Sequence, residues 1–109
     1  MDIRYKQIFF DFDSTISKKE GIDVLSDIQG IDDVGKITQK GMEGQIDLKE
    51  SYLKRTSKLS FPPSHMKIVS DVYIANLYPD VRETVNILKF FEKEVIVVSG
   101  GFYEAIEPV

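Results

Sequence analysis

The sequence predicts an α/β fold: two parallel strands in a partial core, with a helical segment inserted between them. Three observations predict it. The apolar run Ile8-Phe9-Phe10 ends in the acids Asp11 and Asp13, the run Val95-Ile96-Val97-Val98 ends in Ser99-Gly100-Gly101, and the residues between them carry helical periodicity. A continuous β-branched run is the pattern of a parallel strand buried on both faces. Ligands of open α/β sheets collect outside the carboxyl ends of such strands, so both polar loops are candidate parts of one site.

Composition narrows the classes. At 109 residues, 42% hydrophobic and 29% charged, the chain has globular composition and length for one small domain. A net charge of -4 leaves no basic footprint for nucleic acid, which is not an expected partner. The absence of cysteine excludes disulfides, thiolate zinc sites and cysteine nucleophiles, and is compatible with a reducing compartment. Met1-Asp2-Ile3-Arg4 is unlike a signal peptide and no apolar run is long enough to span a membrane, so the expectation is no membrane and a cytoplasmic location.

In chain order, the first strand comes before its two acids. If it continues through them, its period of two points Asp11 and Asp13 to the same side, where they suit a cation or a phosphoryl group. A turn or cap role for Asp13 or Ser14 is the alternative. A helix is expected from Glu20-Gly21, with Ile22, Leu25 and Ile28 on one face and Gly30 as its stop. A second starts at Asp32 or Asp33 and carries Val34 and Ile37 toward a break at Gly41-Met42-Glu43-Gly44. Asp47 and Glu50 open a third with Leu48, Tyr52 and Leu59 on its apolar side; Pro62-Pro63-Ser64 ends it and opens a fourth carrying Met66, Val69 and Tyr73.

A simple crossover needs far fewer residues than this, so residues 16–76 read as an inserted four-helix cap, with residues 1–15 and 77–109 as the core. Asp80 and Glu83 then mark a helix with Val81, Val85, Leu88 and Phe91 on one face, before the second strand. Its Ser99-Gly100-Gly101 loop lets backbone N–H groups approach an anion, and residues Tyr103 to Glu107 are helix-compatible. Asp32-Asp33 reads as a helix cap rather than a metal pair, and His65, beside a proline turn with no candidate partner, as a surface residue.

Asp11-Phe12-Asp13-Ser14-Thr15 resembles the first motif of the haloacid dehalogenase (HAD) superfamily, and Val98-Ser99-Gly100-Gly101-Phe102 resembles its second. The nearer resemblance is to the phosphoserine phosphatase family, and Glu20-Gly21-Ile22-Asp23, the Gly41 to Gly44 break and Lys54-Arg55 extend it through the cap. It implies a HAD-like Rossmannoid core and Mg²⁺-dependent hydrolysis of a small phosphomonoester, O-phosphoserine in the nearest family. Asp11 would be the nucleophile that forms an aspartyl-phosphate, and Asp13 the general acid and then base. The Asp11 carboxylate and the Asp13 backbone carbonyl would hold Mg²⁺, while Ser99 and the Gly100 N–H would hold phosphoryl oxygens. Thr15 would support the loop.

Substrate recognition falls to the cap, where Glu20 matches the ammonium-binding acid, Arg55 the carboxylate-binding base and Met42 an apolar wall. Their alternative roles are a first-turn acid, a solvated helix face and cap core. Leu48 departs from the family, which has an aromatic residue there. The later motifs, a phosphate-contacting lysine and a further metal-binding acid, do not occur before the chain ends at Glu107-Pro108-Val109, so the sequence reads as an N-terminal portion whose activity needs the C-terminal part. Two parallel strands alone leave apolar edges that a homo-oligomer or a complementing C-terminal fragment would cover. A non-catalytic phosphate- or partner-binding module and a phosphotransferase of the same superfamily are the alternative functions.

Overall fold

The computed structural model describes residues 4–31, 42–44 and 47–109, without the side chain of Leu48. Strands β1 (Gln7–Asp11) and β2 (Glu94–Val98) pair in parallel, with Asp11 opposite Val98, so both end flush at one edge. Helices α1 (Gly21–Gln29), α2 (Leu48–Ser57), α3 (Pro63–Ala75) and α4 (Val81–Phe90) lie between them in sequence, and the short α5 (Tyr103–Ile106) follows β2. The architecture is the predicted α/β one, with the two predicted strands parallel. The helix expected from Asp32 or Asp33 lies outside the described residues, apart from Met42–Gly44.

Local chemistry accounts for the helix limits. Gly30 ends α1 at φ 68°, where its N–H reaches the Asp27 carbonyl and the Ile31 N–H reaches that of Ser26. Pro63 sits in the first turn of α3, where a missing N–H costs no helical hydrogen bond. The spacing of Met66, Val69 and Tyr73 turns all three into the interior, against Leu25 of α1 and Ala105 of α5. The cluster also takes in Phe12 and Phe102 from the two loops, with the Phe12 ring edge-on to Tyr73 at 4.8 Å.

Three expectations are corrected. Strand β1 stops at Asp11 instead of running through Asp13: Phe12 is buried, and its carbonyl accepts the N–H groups of Thr15, Ile16 and Ser17, which turns the chain. Strand β2 is not buried on both faces, because the two-stranded sheet leaves Val97 44% and Val98 56% exposed. His65 has a partner, the Gln29 amide at 3.1 Å, and the same amide group is bonded in both directions to the Ser60 backbone.

The segments flanking the helical run are joined directly. The Tyr78 N–H donates to the Ile16 carbonyl and the Lys18 N–H to that of Asn76, while the fully buried Ser17 hydroxyl donates to the Tyr73 carbonyl at 3.0 Å. Among the described residues, no helix is long and apolar enough to cross a membrane.

Candidate active site

The flush strand ends bring the loop after β1 and the loop after β2 to one cavity of about 220 Å³. Asp11, Asp13, Glu20, Arg55, Ser99 and Gly100 all line it. Of the residues singled out in the sequence for a site, only Met42 is not brought there: its side chain is 81% exposed and lies outside the lining. Asp11 and Asp13 share the cavity through the turn at Phe12, not through strand alternation.

The loop after β1 is held by its own hydrogen bonds. The Phe12 N–H donates to Asp11 Oδ1 at 2.9 Å, and the Ser14 hydroxyl donates to Glu20 Oε1 at 2.6 Å. Ser14 adopts φ 64°, a left-handed conformation that a non-glycine residue holds at some cost, as often happens where a loop serves a site. Glu20 is the residue just before α1 and its side chain makes no helix-capping bond, so its carboxylate is committed to Ser14 and the cavity.

Asp13 accepts three hydrogen bonds. Its Oδ2 accepts the Gly21 N–H at 2.7 Å and the Tyr73 hydroxyl at 2.8 Å, while its Oδ1 faces the Ser99 hydroxyl at 3.4 Å. Burial above all, and then the hydrogen bond and negative charge of Asp13, push the Tyr73 hydroxyl far above the usual phenol range, so it stays protonated and donates. The Gly101 N–H donates to Ser99 Oγ at 2.9 Å, and a Cβ at Gly101 would stand 3.1 Å from Asp13 Oδ1. The two loops therefore meet closely enough that a side chain on the second glycine of the pair would be tight against Asp13, Ser99 and Ile106, whereas a Cβ at Gly100 would meet nothing within 4 Å.

Sequence reasoning missed Tyr73, which bonds Asp13 from outside the lining and was read only as part of an apolar helix face, and it missed Ile22 and Tyr52 as residues that line the cavity. The signal for Tyr73 was its hydroxyl, because a tyrosine turned into a core requires a polar partner. Tyr52 precedes Arg55 by three residues, the spacing that puts two side chains on one helix face. Chemically, the cavity presents carboxylates with hydroxyl and glycine N–H groups beside one guanidinium, a set suited to a phosphorylated ligand carrying further charges.

No family model matches the chain. It is 36% identical over 110 residues to a phosphoserine phosphatase of Methanocaldococcus jannaschii, across 100% of this chain and 52% of that one. Among solved structures, a phospho-aspartyl intermediate analogue of phosphoserine phosphatase superposes with a TM-score of 0.81 at 34% identity, over 97% of this chain and 51% of that one. A HAD-family hydrolase of Salmonella enterica serovar Typhi superposes at 0.79 and 30% identity, over 87% of this chain and 33% of that one. The chain spans about half the length of the curated relatives it matches.

The fold and the cavity define the class: an α/β core whose parallel strands each deliver one loop, the first with two aspartates, the second with Ser-Gly-Gly. In sequence and in fold the chain matches about half of a phosphoserine phosphatase of the haloacid dehalogenase superfamily.

Proposed function

We propose that this chain carries the nucleophile and phosphate loops of a hydrolase that, as a whole protein, cleaves a small phosphomonoester, O-phosphoserine to serine and phosphate. The observation that carries the proposal is the convergence of Asp11, Asp13, Ser99, Gly100 and Arg55 on one cavity at the ends of two parallel strands. The likeness to phosphoserine phosphatases supports it.

An Asp11 carboxylate oxygen attacks phosphorus, the bond from phosphorus to the substrate oxygen breaks, and an aspartyl-phosphate forms. Asp13 gives a proton to the departing oxygen, then takes one from the water that cleaves the intermediate. The Ser99 hydroxyl and the Gly100 N–H hold phosphoryl oxygens, Glu20 receives the ammonium and Arg55 the carboxylate. The donor set fits Mg²⁺, a hard ion often bound by one or two protein carboxylates with water and substrate oxygens completing its shell. The Asp11 carboxylate and the Asp13 carbonyl would hold it, although no cluster of three or more metal-ligating side chains occurs among the described residues. When bound, it neutralises phosphoryl charge.

Phosphate release from phosphoserine with Mg²⁺, comparing this chain with Asp11→Asn, tests the proposal. The variant should lose at least ~10³-fold in rate, the scale seen when a nucleophile is removed. Turnover that survives the substitution would sink the assignment of Asp11. Arg55→Ala should raise KM for phosphoserine roughly tenfold or more, as loss of a charged hydrogen bond does, with a smaller effect on an aryl phosphate that carries no carboxylate. Equal losses on both substrates would argue against carboxylate recognition.

One observation favours a second reading. Among the described residues no lysine lines the cavity, which suits a module that binds phosphate without turning it over. Phosphoserine binding without phosphate release by the unmodified chain would support that reading.

A further inference from the structure

We propose that Tyr73 is a positioning residue for Asp13: its hydroxyl, together with the Gly21 N–H, occupies one carboxylate oxygen and so presents the other to the substrate. The inference rests on the acid–base role proposed above for Asp13. The two short bonds, at 2.7 and 2.8 Å, both fall on Oδ2. Oδ1 is left on the side of the phosphate loop, where, among the described residues, its hydrogen-bond contact is the 3.4 Å one to Ser99. The terminal torsion of an aspartate is broad and close to two-fold, so an unrestrained carboxylate offers either oxygen. Two donors on one oxygen remove that choice, and hydrogen bonds to a charged acceptor are the stronger kind.

The donor is itself fixed. Tyr73 has no exposed surface, its ring meets Phe12 edge-on, and its carbonyl accepts the Ser17 hydroxyl. Gly21 completes the arrangement, because a Cβ there would run into the Tyr73 hydroxyl oxygen. The geometry of Asp13 is therefore set before substrate arrives, which is where preorganised polar groups gain their advantage. Tyr73 lies outside the cavity lining and acts only through Asp13.

Tyr73→Phe in this chain keeps the buried ring and removes the hydroxyl alone. With phosphoserine and Mg²⁺, kcat is expected to fall about 10- to 100-fold with KM changed by less than about twofold, because a misheld acid costs the reaction step and not ground-state binding. An unchanged kcat, or a loss carried wholly by KM, overturns the proposal. A second readout needs no turnover: the Tyr73 hydroxyl proton should give a slowly exchanging NMR resonance that is lost in Asp13→Ala, while the remaining amide spectrum stays dispersed. A hydroxyl resonance unmoved by Asp13→Ala overturns the proposal as well. Failure of the unmodified chain to release phosphate counts against turnover by this chain alone, not against the whole-protein reading, and the resonance then decides the role of Tyr73 by itself.

Discussion

Gly21 and Gly100 both stand beside the cavity, yet their backbones meet different surroundings. A Cβ at Gly21 would collide with the Tyr73 hydroxyl and stand 2.8 Å from the ring carbon that bears it, and the fully buried ring cannot swing away. Gly21→Ala should therefore cost roughly 1–3 kcal/mol through overpacking, despite the better helix propensity of alanine. Gly100→Ala, with open space around the added carbon, should stay within about 0.5 kcal/mol of the parent. Urea unfolding of the two variants side by side checks the contrast. The site was legible in the sequence at the level of the two loops, since acids and glycines after apolar runs carry their chemistry in the chain itself. The Tyr73 to Asp13 bond was not, because it joins residues sixty positions apart that only the packing of α3 brings together.

At the level of elements, the helices were legible where caps and periodicity agreed, as at Gly30 and across Met66, Val69 and Tyr73. Periodicity alone did not distinguish a core face from a cavity wall: Tyr52 sits on the apolar side of α2, yet it lines the cavity and is 41% exposed. Helix α1 carries a further consequence in its first turn. A helix N-terminus favours a charged carboxylate, but partial burial and then the neighbouring Asp27 raise the pKa of Asp23, against the pull of Arg55. An acid whose pKa is higher in the folded than in the unfolded state binds more protons when folded, so stability falls as pH rises from near its ordinary 3.8 through the raised value. Asp23→Asn should remove that loss, gaining stability at about pH 7 and not at about pH 3. Because the side chain is exposed and solvent-screened, the gain should be no more than about 0.5 kcal/mol. Urea midpoints of parent and variant at the two pH values measure it; an equal difference at both would contradict the assignment.

Across the whole molecule, burial is unevenly shared. Leu25, Val69 and Tyr73 have no exposed surface, whereas every residue of β1 and β2 is half-buried or exposed. Sequence suggested the opposite for β2, since a β-branched run implies neighbours on both sides that the observed two-stranded sheet does not supply. Amide exchange should follow burial, with α3 around Val69 to Tyr73 the slowest region and both strands exchanging faster, as measured by hydrogen–deuterium exchange. Strands slower than α3 would show that the sheet is the stable unit. Leu25→Ala should cost about 2–5 kcal/mol, the range for a large aliphatic side chain cut back in a close-packed core, and should speed exchange in α3 as well as α1.

The Ser17 contact has a mechanical consequence. One residue of α3 is gripped twice from the loop after β1, by its carbonyl at Ser17 and by its hydroxyl at Asp13. A single pin would leave α3 free to swivel; two pins at opposite ends of the same residue also forbid rotation. Any tilt of that helix must break one of them or carry Asp13 along, so Tyr73 makes the acid a gauge of where α3 stands.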